Sequence, residues 1–346
     1  MAIGWGIVST GRHPDQKIAP AITASGSRLV AVCSRDRTRA SEFAEKHGIA
    51  NAYDSLEEML QDRSVDAVFI ASPNSLHAPH TIAAATAGKH VLVEKPMATD
   101  LKSALDMVSV ARANHVLLGV GFHLRFHPGH RTAKSIVESG DLGRLSMVQG
   151  QWGLWQPRPA ASGAAPDSTS WWQDPAMIGG ASILMGTGVH VIDLLQFLTG
   201  REIVEVATLT DGQRERRPLE GAAAVALRLS DGTIGTICVG RRLNRTENDV
   251  MIYGSEGRIG LRGTVWEALT GALDVIAPGH MLNEDYGEDP LALYRLELDA
   301  FEGAIERGEE FHPSGEDGLS VVQVTSAVVE SARTGRSVTV DRRAGG

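Results

Sequence analysis

The first 120 residues alternate short apolar runs with amphipathic segments, and this alternation constrains the fold more than any other feature of the chain. Ile3–Ser9, Arg28–Ser34, Val65–Ala71, Val91–Glu94 and Val116–Gly121 read as buried strands. Asp15–Ser25, Thr38–His47, Ser55–Leu60, His77–Ala87 and Leu101–Asn114 read as the helices between them, with Gly26, Gly48 and Gly88 as stops. Ser55 is a plausible cap, followed three residues later by Glu58. Strands spaced by helices of this length predict a mostly parallel, doubly wound sheet. Right-handed crossovers then bring the strand C-termini to one edge, where ligands bind in such sheets.

The pattern changes after about residue 124. Arg131–Ser139 reads as a helix and Arg144–Leu154 as a strand. Gln156–Ser170 is rich in Pro, Ala and Ser, lacks periodicity and reads as a long loop. A helix over Gly188–Thr199 precedes strand candidates at 203–210, 222–230, 233–240, 249–254 and 258–262. Turns at Ser230-Asp231-Gly232 and Gly254-Ser255-Glu256-Gly257 join them as hairpins. Pro290–Arg307 and Gly315–Thr334 read as closing helices. The expectation is an α/β protein with a Rossmann domain over residues 1–122 and an α+β domain over 123–346. Its last helix, about 316–334, is a candidate to pack back on the Rossmann domain.

A chain of 346 residues suits two such cores. A net charge of −9 leaves no broad basic footprint for nucleic acid or an anionic membrane. The two cysteines, Cys33 and Cys238, show no paired spacing, so neither a disulfide framework nor a zinc site is expected. No His/Asp/Glu cluster has metal-ligand spacing. The opening run reads as a strand rather than a leader, and no long uninterrupted apolar stretch follows. These features point to a cytoplasmic protein.

The first strand runs into Ser9-Thr10-Gly11-Arg12-His13-Pro14. A dinucleotide fingerprint places G-x-G-x-x-G between strand and helix, and here the register is Ser9-x-Gly11-x-x-Pro14. The surviving glycine is the one that must approach the pyrophosphate most closely. Ser9 can make the turn and donate to phosphate, and Pro14 suits a first helical turn. The helix start offers free amides to an anion. Ser9, Thr10, Gly11, Arg12 and His13 are therefore candidate cofactor contacts, against the alternative of a strand–turn–helix that binds nothing. Ser34 and Arg35 follow the second strand, where a carboxylate usually reads the ribose of NAD(H). A hydroxyl and a guanidinium suit a 2′-phosphate instead, with Arg39 one helical turn further on. NADP(H) is favoured over NAD(H) on this charge complementarity.

Ala71-Ser72-Pro73-Asn74 and Glu94-Lys95-Pro96 end two further strands at the same edge. Ser72, Pro73, Asn74, His77 and Glu94 are candidate cofactor contacts. Lys95 stands where an ammonium can hydrogen-bond a substrate hydroxyl or carbonyl and favour the alkoxide-like charge that develops as hydride moves. The competing reading is a surface lysine in a turn; the flanking apolar strand and Pro96 argue for a held geometry. His190 opens a helix near its polar end, and the alternative there is a capping or packed histidine.

These residues match a family pattern. The chain resembles the Gfo/Idh/MocA oxidoreductases in Ala87-Gly-Lys-His-Val-Leu-Val-Glu-Lys-Pro96, Gly121-Phe-His-Leu-Arg-Phe-His-Pro128 and Ser139-Gly-Asp-Leu-Gly143. It does so again in Trp171-Trp-Gln-Asp-Pro175, in Gly179-Gly180 through His190-Val-Ile-Asp193, in Gly254-Ser-Glu-Gly257 and in Gly315-Glu-Asp-Gly318. The resemblance implies a Rossmann domain followed by a large open antiparallel sheet that carries a homodimer or homotetramer interface. It implies NAD(P)-dependent hydride transfer on a sugar, polyol or related cyclic compound. Lys95 would contact the reacting oxygen and His190 would give or take the proton. Two departures stand out: Gly186 replaces an aspartate four residues before the histidine, and Trp172 replaces an arginine. His123, Trp171, Trp172 and Thr187 are candidate substrate contacts, with Arg125 and His123 also candidates for the cofactor side. Trp152, Trp155 and loop 156–170 are a candidate lid. Two other readings remain: an enzyme with permanently bound cofactor that oxidises its substrate transiently, as glycosidases or epimerases of the family do, and a non-catalytic nucleotide or sugar sensor.

Overall fold

The computed structural model describes residues 2–155, 170–213 and 217–342. The chain divides into two compact units, Met1–Phe122 with Leu291–Leu319, and His123–Pro290 with Ser320–Gly346.

The first unit is built on six parallel strands: β1 (Gly4–Val8), β2 (Arg28–Cys33), β3 (Asn51–Tyr53), β4 (Ala67–Ile70), β5 (His90–Val93) and β6 (Leu118–Val120). Their spatial order is β3-β2-β1-β4-β5-β6. Val8 pairs with Cys33 on one side and Ile70 on the other, so the strand order reverses across β1. Every residue of β1 and β4 is buried, as expected for central strands covered on both faces. The helices begin where the sequence supplies caps. The Asp36 carboxylate accepts the Thr38 and Arg39 amides, Ser55 accepts the Glu58 amide, and Asp100 accepts the Ser103 amide.

Sequence reading leaves β3 unassigned, because three half-buried residues show no periodicity. It also groups Leu291–Leu319 with the second domain, whereas the structure clusters this segment with the first unit. The reason is Trp5 on β1. Its fully buried indole donates to Glu302 Oε1 at 2.7 Å and lies 5.7 Å from the Phe301 ring, both on helix Ala292–Arg307. The free edge of β6 is covered in turn, since the Val120 amide donates to the Pro313 carbonyl at 3.0 Å.

The second unit is a nine-stranded sheet with helices. Its strands are β7 (Leu145–Gly153), β8 (Ile203–Thr210), β9 (Ala222–Leu229), β10 (Ile234–Gly240), β11 (Val250–Gly254), β12 (Arg258–Arg262), β13 (Leu269–Ala277), β14 (His280–Asp289) and β15 (Val338–Thr339). Their order is β14-β13-β12-β11-β7-β10-β9-β8-β15. Neighbours are antiparallel except β7 and β10, which run parallel. Sequence reading misses β13 and β14. The acidic, largely exposed β14 carries no apolar alternation, and it hides its partner. Helix Val189–Thr199 lies against β7, where a Cβ on Gly150 would come within 2.4 Å of Val191 Cγ1. Only glycine allows that approach. Among the described residues, no helix is long and apolar enough to cross a membrane.

Candidate active site

In the first unit, the loop after β1 adopts a glycine-like backbone without the glycine. Ser9 has φ +123°, a region that L side chains rarely occupy, and the turn is held from both sides. The Ser9 amide donates to the Cys33 carbonyl at 2.9 Å, and Ser9 Oγ accepts the Gly11 amide at 3.1 Å. Thr10 Oγ1 donates to Ser34 Oγ at 3.4 Å, tying this loop to the end of β2. The helix begins at once, with the Asp15 amide bonded to the Gly11 carbonyl, and passes through a π turn at Pro14–Ile18. Arg12 is exposed and bonds Gln16. His13 Nε2 lies 2.8 Å from Glu94 Oε1. Arg35 is exposed just past β2, and Arg39 is exposed in the first turn of the helix Arg37–His47. Asp36 is spent as the helix cap described above.

The loops after β4 and β5 sit at the same edge of the sheet. Pro73 caps helix Asn74–Thr86, and Asn74 is buried at its first position. His77 is buried beneath both loops and has both ring nitrogens against backbone carbonyls. The structure thus gives it a bracing position and no free ring atom, which differs from the cofactor contact expected of it. Ser72 Oγ is 3.0 Å from His80 Nδ1. Glu94 is buried and accepts the Lys95 amide at 3.2 Å. Lys95 is half-buried, and its peptide bond to Pro96 is cis.

In the second unit, a 3-10 turn, His123–Phe126, brings His123 onto His190, with ring centroids 4.9 Å apart and edge to face. The Trp152 ring covers His190 from another side at 4.9 Å. Trp152 is 1% exposed on β7, so it belongs to the floor under His190 and not to a lid. Trp155 is exposed, and of the expected loop Gln156–Ser170 all but Ser170 lies outside the described residues. Arg125 does not point a free guanidinium at a ligand. Its Nε donates to Asp193 Oδ2 at 2.9 Å and its Nη2 to Oδ1 at 2.6 Å, with both partners buried.

The sequence places His190 in the first turn of its helix. The α-helix does run Val189–Thr199 with His190 buried in its first turn, and a π turn, Leu184–Gly188, leads into it without a break. Such turns cluster at functional positions. Thr187 is buried in it, and its hydroxyl donates to the Ile183 carbonyl at 3.1 Å. The helix start is capped from afar: buried Glu220 Oε1 accepts the Ser182 and Leu184 amides at 2.8 and 2.9 Å. No spacing in the sequence could reveal a cap 36 residues away. Trp171 and Trp172 stack at 4.3 Å, and a Cβ on Gly186 would stand 3.7 Å from the Trp172 ring. Tryptophan therefore fills space beside Gly186, the position at which the family resemblance implies an aspartate. The Arg241 guanidinium lies 5.9 Å from the same ring and donates to Ser182 Oγ at 2.9 Å.

The turn carrying His123 is itself pinned by histidines. His130 Nδ1 lies 2.7 Å from the Leu124 carbonyl and Nε2 2.9 Å from Thr264 Oγ1. The Gly129 amide donates to His127 Nδ1, leaving Nε2 to donate to the Thr270 carbonyl at 3.0 Å. Burial pushes His127 down to about 4 and His130 well below its ordinary value. No group of three or more His, Cys, Asp or Glu among the described residues is placed to hold a metal.

The sequence profile described as "Oxidoreductase family, NAD-binding Rossmann fold" matches residues 3–122, and that of the GFO/IDH/MocA C-terminal domain matches residues 130–260. The chain belongs to the Gfo/Idh/MocA oxidoreductase family. It is 29% identical to 1,5-anhydro-D-fructose reductase of Ensifer adhaerens over 97% of this chain and 98% of that one. It is 31% identical to D-xylose 1-dehydrogenase (NADP(+)) 2 of Haloferax volcanii over 97% and 99%. The aldose-aldose oxidoreductase of Caulobacter crescentus, solved with glycerol, superposes with a TM-score of 0.86 at 25% identity, covering 98% of this chain and all of that one. The protein is thus an NAD(P)-dependent oxidoreductase with a Rossmann domain. Its loop fits a dinucleotide: the Ser9 backbone takes the glycine conformation, and a Cβ on Gly11 would meet only Ser9 Oγ within 4 Å. Among the described residues, Ser9 Oγ alone crowds that side of the Gly11 backbone.

Proposed function

We propose that this oxidoreductase acts on a sugar, polyol or related cyclic hydroxyl or carbonyl compound, with Lys95 and His190 handling the reacting oxygen and its proton. The observation that carries the reading is the placement of Lys95 at the carboxyl edge of the parallel sheet, one strand beyond β4 and on the edge that holds the Ser9–His13 loop. When bound, the nicotinamide supplies the hydride donor or acceptor. The Lys95 ammonium hydrogen-bonds the substrate oxygen and stabilises the charge that builds there as hydride moves. His190 Nε2 or Nδ1 exchanges the proton, and His123 and Trp152 hold the ring in one orientation. Trp171 and Trp172 offer aromatic faces to the C–H side of a ring substrate, and Thr187 lines the same helix. The names of the relatives, a reductase of 1,5-anhydro-D-fructose and a dehydrogenase of D-xylose, support a carbohydrate-like substrate.

NADP(H) is the proposed preference. Ser34 and exposed Arg35 stand at the end of β2, and Asp36, the nearest carboxylate, is committed to backbone amides. A homo-oligomer through the second unit's sheet is proposed with it. The deciding experiment is an absorbance screen of sugars, polyols, inositols and anhydrosugars at 340 nm, run with both cofactors in both directions. Turnover on a carbohydrate that is lost in Lys95→Ala supports the reading. Cofactor binding with no turnover across the panel, or a fully active Lys95→Ala enzyme, refutes it.

A further inference from the structure

His77 is 1% exposed, and both of its ring nitrogens face backbone carbonyls at short range. Nδ1 lies 2.7 Å from the Pro96 carbonyl and Nε2 2.7 Å from the Ser72 carbonyl. These carbonyls belong to the turns that end β5 and β4. The imidazole spans the two turns. A neutral ring donates through one nitrogen at a time, whereas the imidazolium donates through both. Burial, the largest influence, holds the ring below its ordinary value, against the two carbonyls and the Glu94 carboxylate, and the Lys95 ammonium adds to the lowering; the neutral ring therefore donates to one carbonyl and packs its other nitrogen against the second. His80, one turn later on the same helix, holds Ser72 Oγ at 3.0 Å and so leaves the Ser72 carbonyl to His77.

We infer that His77 is a positioning residue that cross-braces the two turns and fixes the backbone from which Lys95 projects. Helix Asn74–Thr86 supplies a rigid mount, and Pro73 at its cap sets the distance from Ser72 to the ring. The brace acts through the Pro96 carbonyl, one residue beyond Lys95, without touching a reacting atom. Precise placement matters because a shift of about 1 Å in a catalytic group costs about 10²-fold in rate. The inference rests on the proposed role of Lys95 for its kinetic consequence, but the brace itself is testable without turnover.

The first readout is hydrogen exchange on the NADPH-loaded protein, comparing wild type with His77→Phe, which keeps a ring but no nitrogen, and with His77→Gln, which keeps polarity. Peptides covering residues 70–76 and 91–99 are expected to exchange at least about tenfold faster in His77→Phe, together and selectively, with partial recovery in His77→Gln. Unchanged exchange in either peptide overturns the brace. So does equal loosening across the whole first unit, which is general destabilisation. The second readout is a double-mutant cycle with Lys95→Ala, using 1,5-anhydro-D-fructose with NADPH and D-xylose with NADP+ as probes. His77→Phe is expected to lower kcat about 10- to 100-fold with KM within about threefold. The double variant is expected to be no slower than Lys95→Ala alone. A fully additive cycle overturns the link to Lys95. An active Lys95→Ala enzyme sinks the proposed function and leaves the exchange result standing.

Discussion

The Arg125–Asp193 pair offers the sharpest energetic test. It joins the 3-10 turn carrying His123 to the helix carrying His190 through contacts of 2.9 and 2.6 Å. The side chains are 9% and 1% exposed, so solvent screens the pair little. Removing one partner of a buried pair typically costs about 3–5 kcal/mol, because the other charge keeps its desolvation penalty and loses the attraction. At about 2–4 °C per kcal/mol for a unit of this size, Arg125→Met is expected to lower Tm by about 6–20 °C. The Arg125 guanidinium also lies 5.2 Å from the Phe197 ring, a contact that methionine's apolar chain partly replaces. Removing both charges in Arg125→Met/Asp193→Leu is expected to return stability to within roughly 1–2 kcal/mol of wild type, because the desolvation cost disappears with the attraction. Urea unfolding of the three variants, followed by tryptophan fluorescence, measures the cycle. A single variant that loses less than about 1 kcal/mol, or a double variant that loses the sum of both singles, would refute the reasoning.

Four further outcomes are expected. Lys95→Ala should bind cofactor by fluorescence titration while turnover falls about 10²- to 10⁴-fold, the range for loss of a positioned proton-transfer group. Arg35→Glu should raise KM for NADP+ at least about tenfold and leave KM for NAD+ unchanged or lower; equal effects on both would remove Arg35 from the 2′-phosphate. His127 has a folded pKa of about 4 against 6.5 unfolded. The unfolded ring binds a proton in that window and the folded ring does not. Stability contributed by the neutral ring is therefore complete above pH 6.5 and is lost toward pH 4, at up to about 1.4 kcal/mol per pH unit. Urea midpoints from pH 7 to 4.5 should fall accordingly, and an unchanged slope in His127→Asn would contradict this assignment. Gly150→Ala, whose Cβ would meet Val191 Cγ1 at 2.4 Å, should cost about 1–3 kcal/mol by overpacking, read as a lower urea midpoint.

The Rossmann half is legible because its code is local. The apolar runs of β1 and β4 are buried throughout and those of β2 and β5 are buried toward their C-terminal ends, and glycine or a capping residue marks most helix ends. The placement of Lys95 at the sheet edge follows from that pattern alone. What escaped is non-local. β14 is polar because it is an exposed edge, so it gives no alternation, and β13 is unreadable without its partner. Arg125 looks like a ligand-binding cation until Asp193, 68 residues away, is seen to occupy it. Trp152 looks like a lid residue from its neighbours in sequence, yet strand pleating turns it inward beneath His190. Glu220 carries no motif at all, and only the fold brings it to the helix that it caps.

The π turns at Pro14–Ile18 and Leu184–Gly188 have a consequence for how this enzyme can vary. In an unbroken α-helix an inserted residue advances everything beyond it by about 1.5 Å and swings it through about 100°. A five-residue turn absorbs such an insertion locally and leaves the flanking turns facing as before. The helix that follows the nucleotide loop and the helix that carries His190 therefore each hold one residue in reserve. A chain built this way can gain or lose a residue beside either loop, reshaping what the loop meets, while the aim of His190 stays the same.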